Sequence, residues 1–155
     1  MSTQILVVDD HQIVREGVRS LLGTLRPQWD VFEAEDGIQA IDLIRQRKPD
    51  AVIMDITMPG ASGLETVAAL RKAGLATPVL MFTMHRSDQL GNETRQAGAQ
   101  GYVLKSQAVQ DLVKAIDILL AGGTFFGEPP KPQSAESDEP TPGLSFFIAL
   151  RPAFG

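Results

Sequence analysis

Five side chains in this sequence could do chemistry together: Asp9, Asp10, Asp55, Thr83 and Lys105. They stand at the ends of four short, mainly apolar runs, 5–8, 50–54, 79–82 and 102–104, the first of which ends in two acids. Runs of this kind, rich in Val and Ile, read as central strands of a parallel sheet covered on both faces. Open parallel sheets bind ligands beyond the carboxyl ends of their strands. Three carboxylates, a hydroxyl and an ammonium are therefore expected at one edge. Carboxylates crowded in this way repel one another unless a cation joins them. The chain has no Cys, and oxygen donors alone favour a hard cation such as Mg²⁺, which keeps several waters and accepts a phosphate oxygen. Lys105 would offset the charge on a phosphoryl group.

The elements that must position these residues are legible in the same way. Helical spacing links Ile13, Val14, Val18, Leu21, Leu22 and Leu25, then Ile38, Ile41 and Ile44, then Leu64, Val67 and Leu70. The clearest apolar face carries Val109, Leu112, Val113, Ile116, Leu119 and Leu120, and a weaker helix is expected over 89–97. A further strand is expected over 29–34. Lys48, Pro49 and Asp50 stop one helix, Gly74 stops another, and Pro78 opens a strand where its missing N–H costs least. Strand then helix, repeated five times, predicts right-handed crossovers and an α/β fold with helices on both faces of a five-stranded parallel sheet.

Composition sets the outer bounds. The 155 residues, 43% apolar, can bury one substantial core. A net charge of −5 and no cluster of Lys and Arg argue against a nucleic-acid surface. The start of the chain lacks the basic and small-residue pattern of a signal peptide, and no apolar run approaches the ~20 residues of a membrane span. The expectation is a cytoplasmic protein without membrane contact. The character changes after residue 122: six of the ten prolines lie between Pro129 and Pro152, mixed with Ser, Glu and Asp. Residues 1–122 are read as one domain and 123–155 as a Pro-rich linker or tail with a short apolar end at 144–150.

Four phrases at the strand ends, ILVVDD at 5–10, MDITMPG at 54–60, MFTMH at 81–85 and GYVLK at 101–105, resemble the response-regulator receiver family over residues 4–122. The resemblance implies a flavodoxin-like, CheY-like doubly wound sheet of order 2-1-3-4-5. It implies phosphoryl transfer from a sensor histidine kinase to Asp55, with Mg²⁺ held by Asp9, Asp10, Asp55 and the backbone carbonyl of Thr57. It further implies that Lys105 and Thr83 contact the phosphoryl oxygens, that Thr83 and Tyr102 form the switch, and that Pro59 and Gly60 shape the loop after Asp55. Thr57, Met84 and His85 would tune access of the hydrolytic water. The surface of helix four, strand five and helix five is expected to take a partner or a second copy of the chain in a homodimer. The phrases MFTMH and KAIDILLAGGTFF are closest to the NarL/FixJ group, whose members carry a helix-turn-helix domain after the linker. Only Lys131 and Arg151 are basic beyond residue 122, so direct DNA binding by these 155 residues is not expected.

Each signal has a plainer reading when taken singly. Asp9, Asp10 and Asp55 could cap helices or strands, Thr83 could be an ordinary strand residue, and Tyr102 could be core. His11, after two acids, reads as a loop or first-turn residue. The functional reading rests on four strand ends agreeing at once. Rival readings are a truncated DNA-binding regulator, a haloacid-dehalogenase-like phosphatase, a flavin-binding flavodoxin-like protein and a pseudo-receiver without phosphorylation. The phosphatase wants a D-x-D pair at the first strand and a cap domain; here Asp9 and Asp10 are adjacent and no segment is long enough for the cap.

Overall fold

The computed structural model describes residues 2–84, 89–106 and 109–126. Strands β1 (Gln4–Val8), β2 (Asp30–Ala34), β3 (Ala51–Met54), β4 (Val79–Thr83), β5 (Gly101–Leu104) and β6 (Phe125–Phe126) alternate with helices α1 (Gln12–Leu25), α2 (Gly37–Arg47), α3 (Gly63–Lys72), α4 (Leu90–Ala97) and α5 (Val109–Leu120). All neighbouring strands pair in parallel, in the order β2-β1-β3-β4-β5-β6. The expected order is thus found, with one strand added at the edge. β6 lies past residue 122, in the stretch read as linker, and two residues are too few for any periodicity to announce them. Residues 127–155, with the rest of the expected tail, lie outside the described residues.

Alternation along the strands builds two cores. Ile5, Val7, Ile53, Leu80 and Val103 pack with Val18 and Leu22 of α1 and with Leu112 and Ile116 of α5. The intervening residues Leu6, Val8, Val52, Met54 and Met81 pack on the opposite face with Ile44 of α2 and with Val67 and Leu70 of α3. Burying each such side chain contributes roughly 1.5–3 kcal/mol, so both faces together tie the strand ends firmly in place. Among the described residues the helical apolar patterns hold with three exceptions, one of them Leu25 at the end of α1, 39% exposed. Ile13 and Ile38 are 83% and 77% exposed. Both occupy the second position of helices that begin beyond the carboxyl ends of β1 and β2, where the strand has already ended.

Local chemistry fixes where the helices begin. Asp36 accepts the Gln39 N–H at the start of α2. Ser62 and Glu65 form a reciprocal capping box at α3, satisfying two donors that would otherwise be orphaned. That cap sets α3 tightly against β3. A Cβ added at Gly63 would fall 2.1 Å from the Asp55 carbonyl oxygen, so only glycine admits this approach.

Candidate functional site

Backbone pairing carries the acids one step past the strands. The Asp55 N–H donates to the Val8 carbonyl at 2.9 Å, and the Asp9 N–H donates to the Ala34 carbonyl at 3.2 Å. The Lys105 N–H reaches the Thr83 carbonyl at 2.7 Å in the same manner. The ends of β1, β2 and β3, and those of β4 and β5, are thereby locked in register, and the side chains of Asp9, Asp55 and Lys105 converge. Single carboxylate oxygens of Asp9, Asp10 and Asp55, with a ring nitrogen of His11, lie within 4.8 Å of one another.

Asp9 and Asp55 are almost wholly buried, at 2% and 4% exposure. Lys105 is their cation: its Nζ donates to Asp9 Oδ2 at 2.9 Å and sits 3.6 Å from Asp55 Oδ2. The Thr57 N–H donates to Asp55 Oδ1 at 3.3 Å. Burial pushes the Asp55 carboxyl above the ordinary carboxylate range; Lys105 and the Thr57 N–H oppose that rise, while the charges of Asp9 and Asp10 add to it. Asp10 Oδ1 is buried without a hydrogen bond, although His11 Nδ1 stands 3.2 Å away. Two acids sharing one ammonium, with the orphaned Asp10 carboxylate oxygen beside them, form a donor set that a small, oxygen-loving cation would complete. The cluster could bind a metal.

Thr83 ends β4 and is buried, at 1% exposure. The register pairs Thr83 with Leu104 and Met81 with Tyr102, so Thr83 and Tyr102 are diagonal neighbours on the sheet face that carries Met81. Tyr102 is half-buried, and its ring meets Phe126 edge-on at 6.5 Å. Met84 is exposed, at 76%. His85 lies outside the described residues.

Three contributors escaped the sequence reading. His11 is the N-cap residue of α1, and its backbone N–H and Nδ1 both approach Asp9 Oδ1, at 2.9 and 3.2 Å. Arg15 donates to the Asp9 carbonyl and to Glu33. The available signal was charge: an arginine near the start of a helix opposes the macrodipole and needs a compensating partner.

The profile of the response regulator receiver domain matches residues 5–117. The chain belongs to the response-regulator receiver family. It is 35% identical over 147 residues to the response regulator UvrY of Escherichia coli, covering 94% of this chain and 67% of that one. It is 35% identical to the nitrate/nitrite response regulator protein NarL of Escherichia coli, covering 86% of this chain and 62% of NarL. The chain therefore spans about two thirds or less of the length of these relatives. Among solved structures, a LuxR-family two-component response regulator from Aurantimonas superposes with a TM-score of 0.76 at 42% identity, covering 81% of this chain and 90% of that one. The expected membership in the NarL-like group of two-component receivers is thus met. Among the described residues, no helix is long and apolar enough to cross a membrane.

Proposed function

We propose that this receiver accepts a phosphoryl group on Asp55 from a phosphohistidine of a sensor histidine kinase. The observation that carries the reading is the buried Asp55 carboxylate, 3.6 Å from the Lys105 ammonium and within one cluster with Asp9 and Asp10. An Asp55 oxygen attacks phosphorus, the phosphorus–nitrogen bond breaks, and the imidazole leaves with a proton. Lys105 screens the charge gathering on the phosphoryl oxygens, and the Thr83 hydroxyl donates to one of them. Mg²⁺, held by Asp9, Asp10, Asp55 and the Thr57 carbonyl, would neutralise charge on the transferring group. Hydrolysis reverses the modification: water attacks phosphorus and Asp55 leaves as carboxylate. Thr57, Met84 and His85 set the access of that water.

On this reading the domain is a cytoplasmic signalling module and no conventional enzyme. Phosphorylation draws Thr83 toward Asp55, opens space for Tyr102, and biases the surface of α4, β5 and α5 toward a second copy of the chain. A bias of a few kcal/mol is enough for such a population shift. With Lys131 and Arg151 as the basic residues beyond 122, these 155 residues supply no DNA-binding surface of their own.

Intact-mass measurement after incubation with acetyl phosphate tests the assignment. The wild type is expected to gain one phosphoryl group only with Mg²⁺ present, and Asp55→Asn to gain none. Equal labelling of the two proteins would overturn it.

A further inference from the structure

Asp9 is held from outside the acid cluster as well as within it. The Arg15 guanidinium donates through Nη1 to the Asp9 backbone carbonyl and through Nε to Glu33 Oε1 at 2.8 Å. Arg19 Nη1 donates to the other Glu33 oxygen at 3.0 Å. The placement follows from the fold. Arg15 is in the fourth position of α1, and helical side chains lean back toward the helix start, which lays its head over the β1–α1 loop. Glu33 stands opposite Val7 in the β1–β2 register, on the sheet face that α1 covers.

This is more than a surface pair. The Arg15 and Glu33 side chains are 14% and 25% exposed. The two arginines hold the Glu33 carboxyl below its ordinary range, Arg15 most strongly, so Glu33 is charged at neutral pH. A guanidinium is a rigid planar fork that can serve a carbonyl and a carboxylate together, which a lysine ammonium does as a point charge without a fixed plane.

We propose that Arg15 and Glu33 are positioning residues of the cation site. They fix the Asp9 peptide plane, and so the direction of the Asp9 and Asp10 carboxylates, which their mutual repulsion would otherwise splay. The proposal rests on the reading that Asp9, Asp10 and Asp55 hold Mg²⁺. Neither residue touches the cation or the phosphoryl group; both act through the Asp9 backbone.

The test uses the full chain as wild type, Arg15→Lys and Glu33→Gln. Three readouts are taken: calorimetric titration with Mg²⁺ alone, the acetyl-phosphate labelling rate across Mg²⁺ concentrations, and the carbonyl ¹³C shift of Asp9 in metal-free protein. Arg15→Lys keeps the charge, so a loss marks geometry. It is expected to raise the half-saturating Mg²⁺ concentration about tenfold or more, the usual scale for losing a partner behind a ligand. The labelling rate at saturating Mg²⁺ is expected to be retained, and the Asp9 carbonyl resonance to move before any metal is added. Glu33→Gln, which still accepts a hydrogen bond, should show the same changes more weakly and covers the case in which Arg15→Lys folds poorly. Mg²⁺ curves of folded variants that superimpose on the wild type, with only the melting temperature lowered, would overturn the positioning role and leave the metal site intact. A wild type that neither binds Mg²⁺ nor labels would overturn the metal site and this inference together.

Discussion

The two halves of the carboxyl edge are held in different ways. On the β1–β3 side, Asp9 and Asp55 are buried, tied by backbone bonds to Ala34 and Val8, and clamped by Lys105 and Arg15. On the β4–β5–β6 side, Tyr102 is half-buried against Phe126, and α4 buries only Leu90 and Thr94. The Thr94 hydroxyl is buried there without a hydrogen bond. The guanidinium of Arg95 lies 4.0 Å from the Phe126 ring centre and completes a thin outer layer. On the proposed function, the half that would do the chemistry is over-determined, whereas the half that would change shape is lightly pinned. A receiver needs both, because a site must be preorganised and a switch must have two states of similar free energy.

Substitutions can break this contrast or sharpen it, and the largest effect is expected at Asp55. Asp55→Asn should abolish labelling while raising stability at neutral pH. The sign follows from burial. Folding raises the proton affinity of Asp55, so the folded state takes up a proton that the unfolded state lacks between the ordinary carboxylate range and the raised one. Stability contributed by that uptake is present at low pH and is lost as pH rises through the window. Denaturant midpoints measured from about pH 4 to 8 should fall less steeply in Asp55→Asn than in the wild type. Parallel slopes would argue against a strained carboxylate.

Next in size is Lys105→Met, which leaves two buried acids without their cation. Removing one partner of a buried pair costs about 3 kcal/mol or more. The loss should be seen in metal-free buffer and be partly recovered by Mg²⁺, which wild-type protein needs less. A cost unaffected by Mg²⁺ would remove the cation from the rigid half.

Smaller effects are expected on the other side. Phe126→Ala removes the edge-on contact with Tyr102 and the stacked Arg95, for a loss of about 1–2 kcal/mol. Hydrogen exchange at the Phe125 N–H, which donates to the Gln100 carbonyl at 3.0 Å, should quicken while exchange near Asp55 does not. Spreading of the change into β1 and β3 would show that the two halves are not separable. Thr94→Val replaces an unsatisfied buried hydroxyl by a methyl group and should stabilise by about 1 kcal/mol. By pinning α4 it should also slow any phosphorylation-dependent change at Tyr102, a shift readable in the tyrosine side-chain resonances.

The acid set was legible because strand ends in a parallel sheet are marked by abrupt changes from apolar to charged residues, as at Val8–Asp9, Met54–Asp55 and Leu104–Lys105. The switch role proposed for Thr83 and Tyr102 comes only from the family likeness, since neither has anything unusual about its local sequence; the structure makes them diagonal neighbours on one sheet face. Arg15, Glu33 and His11 were missed for a different reason. Arg15 bonds to Asp9 and Glu33 to Arg15, contacts that depend on the pitch of α1 over β1 and β2 and that no local pattern records. His11, two residues from Asp9, reads locally as a plain loop residue. β6 was missed because a two-residue strand has no period, and its place beside β5 depends on close packing: a Cβ on Gly101 would lie 1.9 Å from the Phe125 carbonyl oxygen.

By itself the sequence determined the element types, their parallel arrangement and the acids and lysine that gather at one edge. Hydrophobic periodicity and strand-end polarity are local properties, fixed by which residues must leave water. Only the tertiary structure decided that Asp9 is braced by an arginine and a glutamate from two other elements, that the Asp55 carboxyl is pushed upward, and that the chain after α5 returns to cover Tyr102. Those outcomes depend on distances between residues far apart in the chain, set by how helices sit on a twisted sheet.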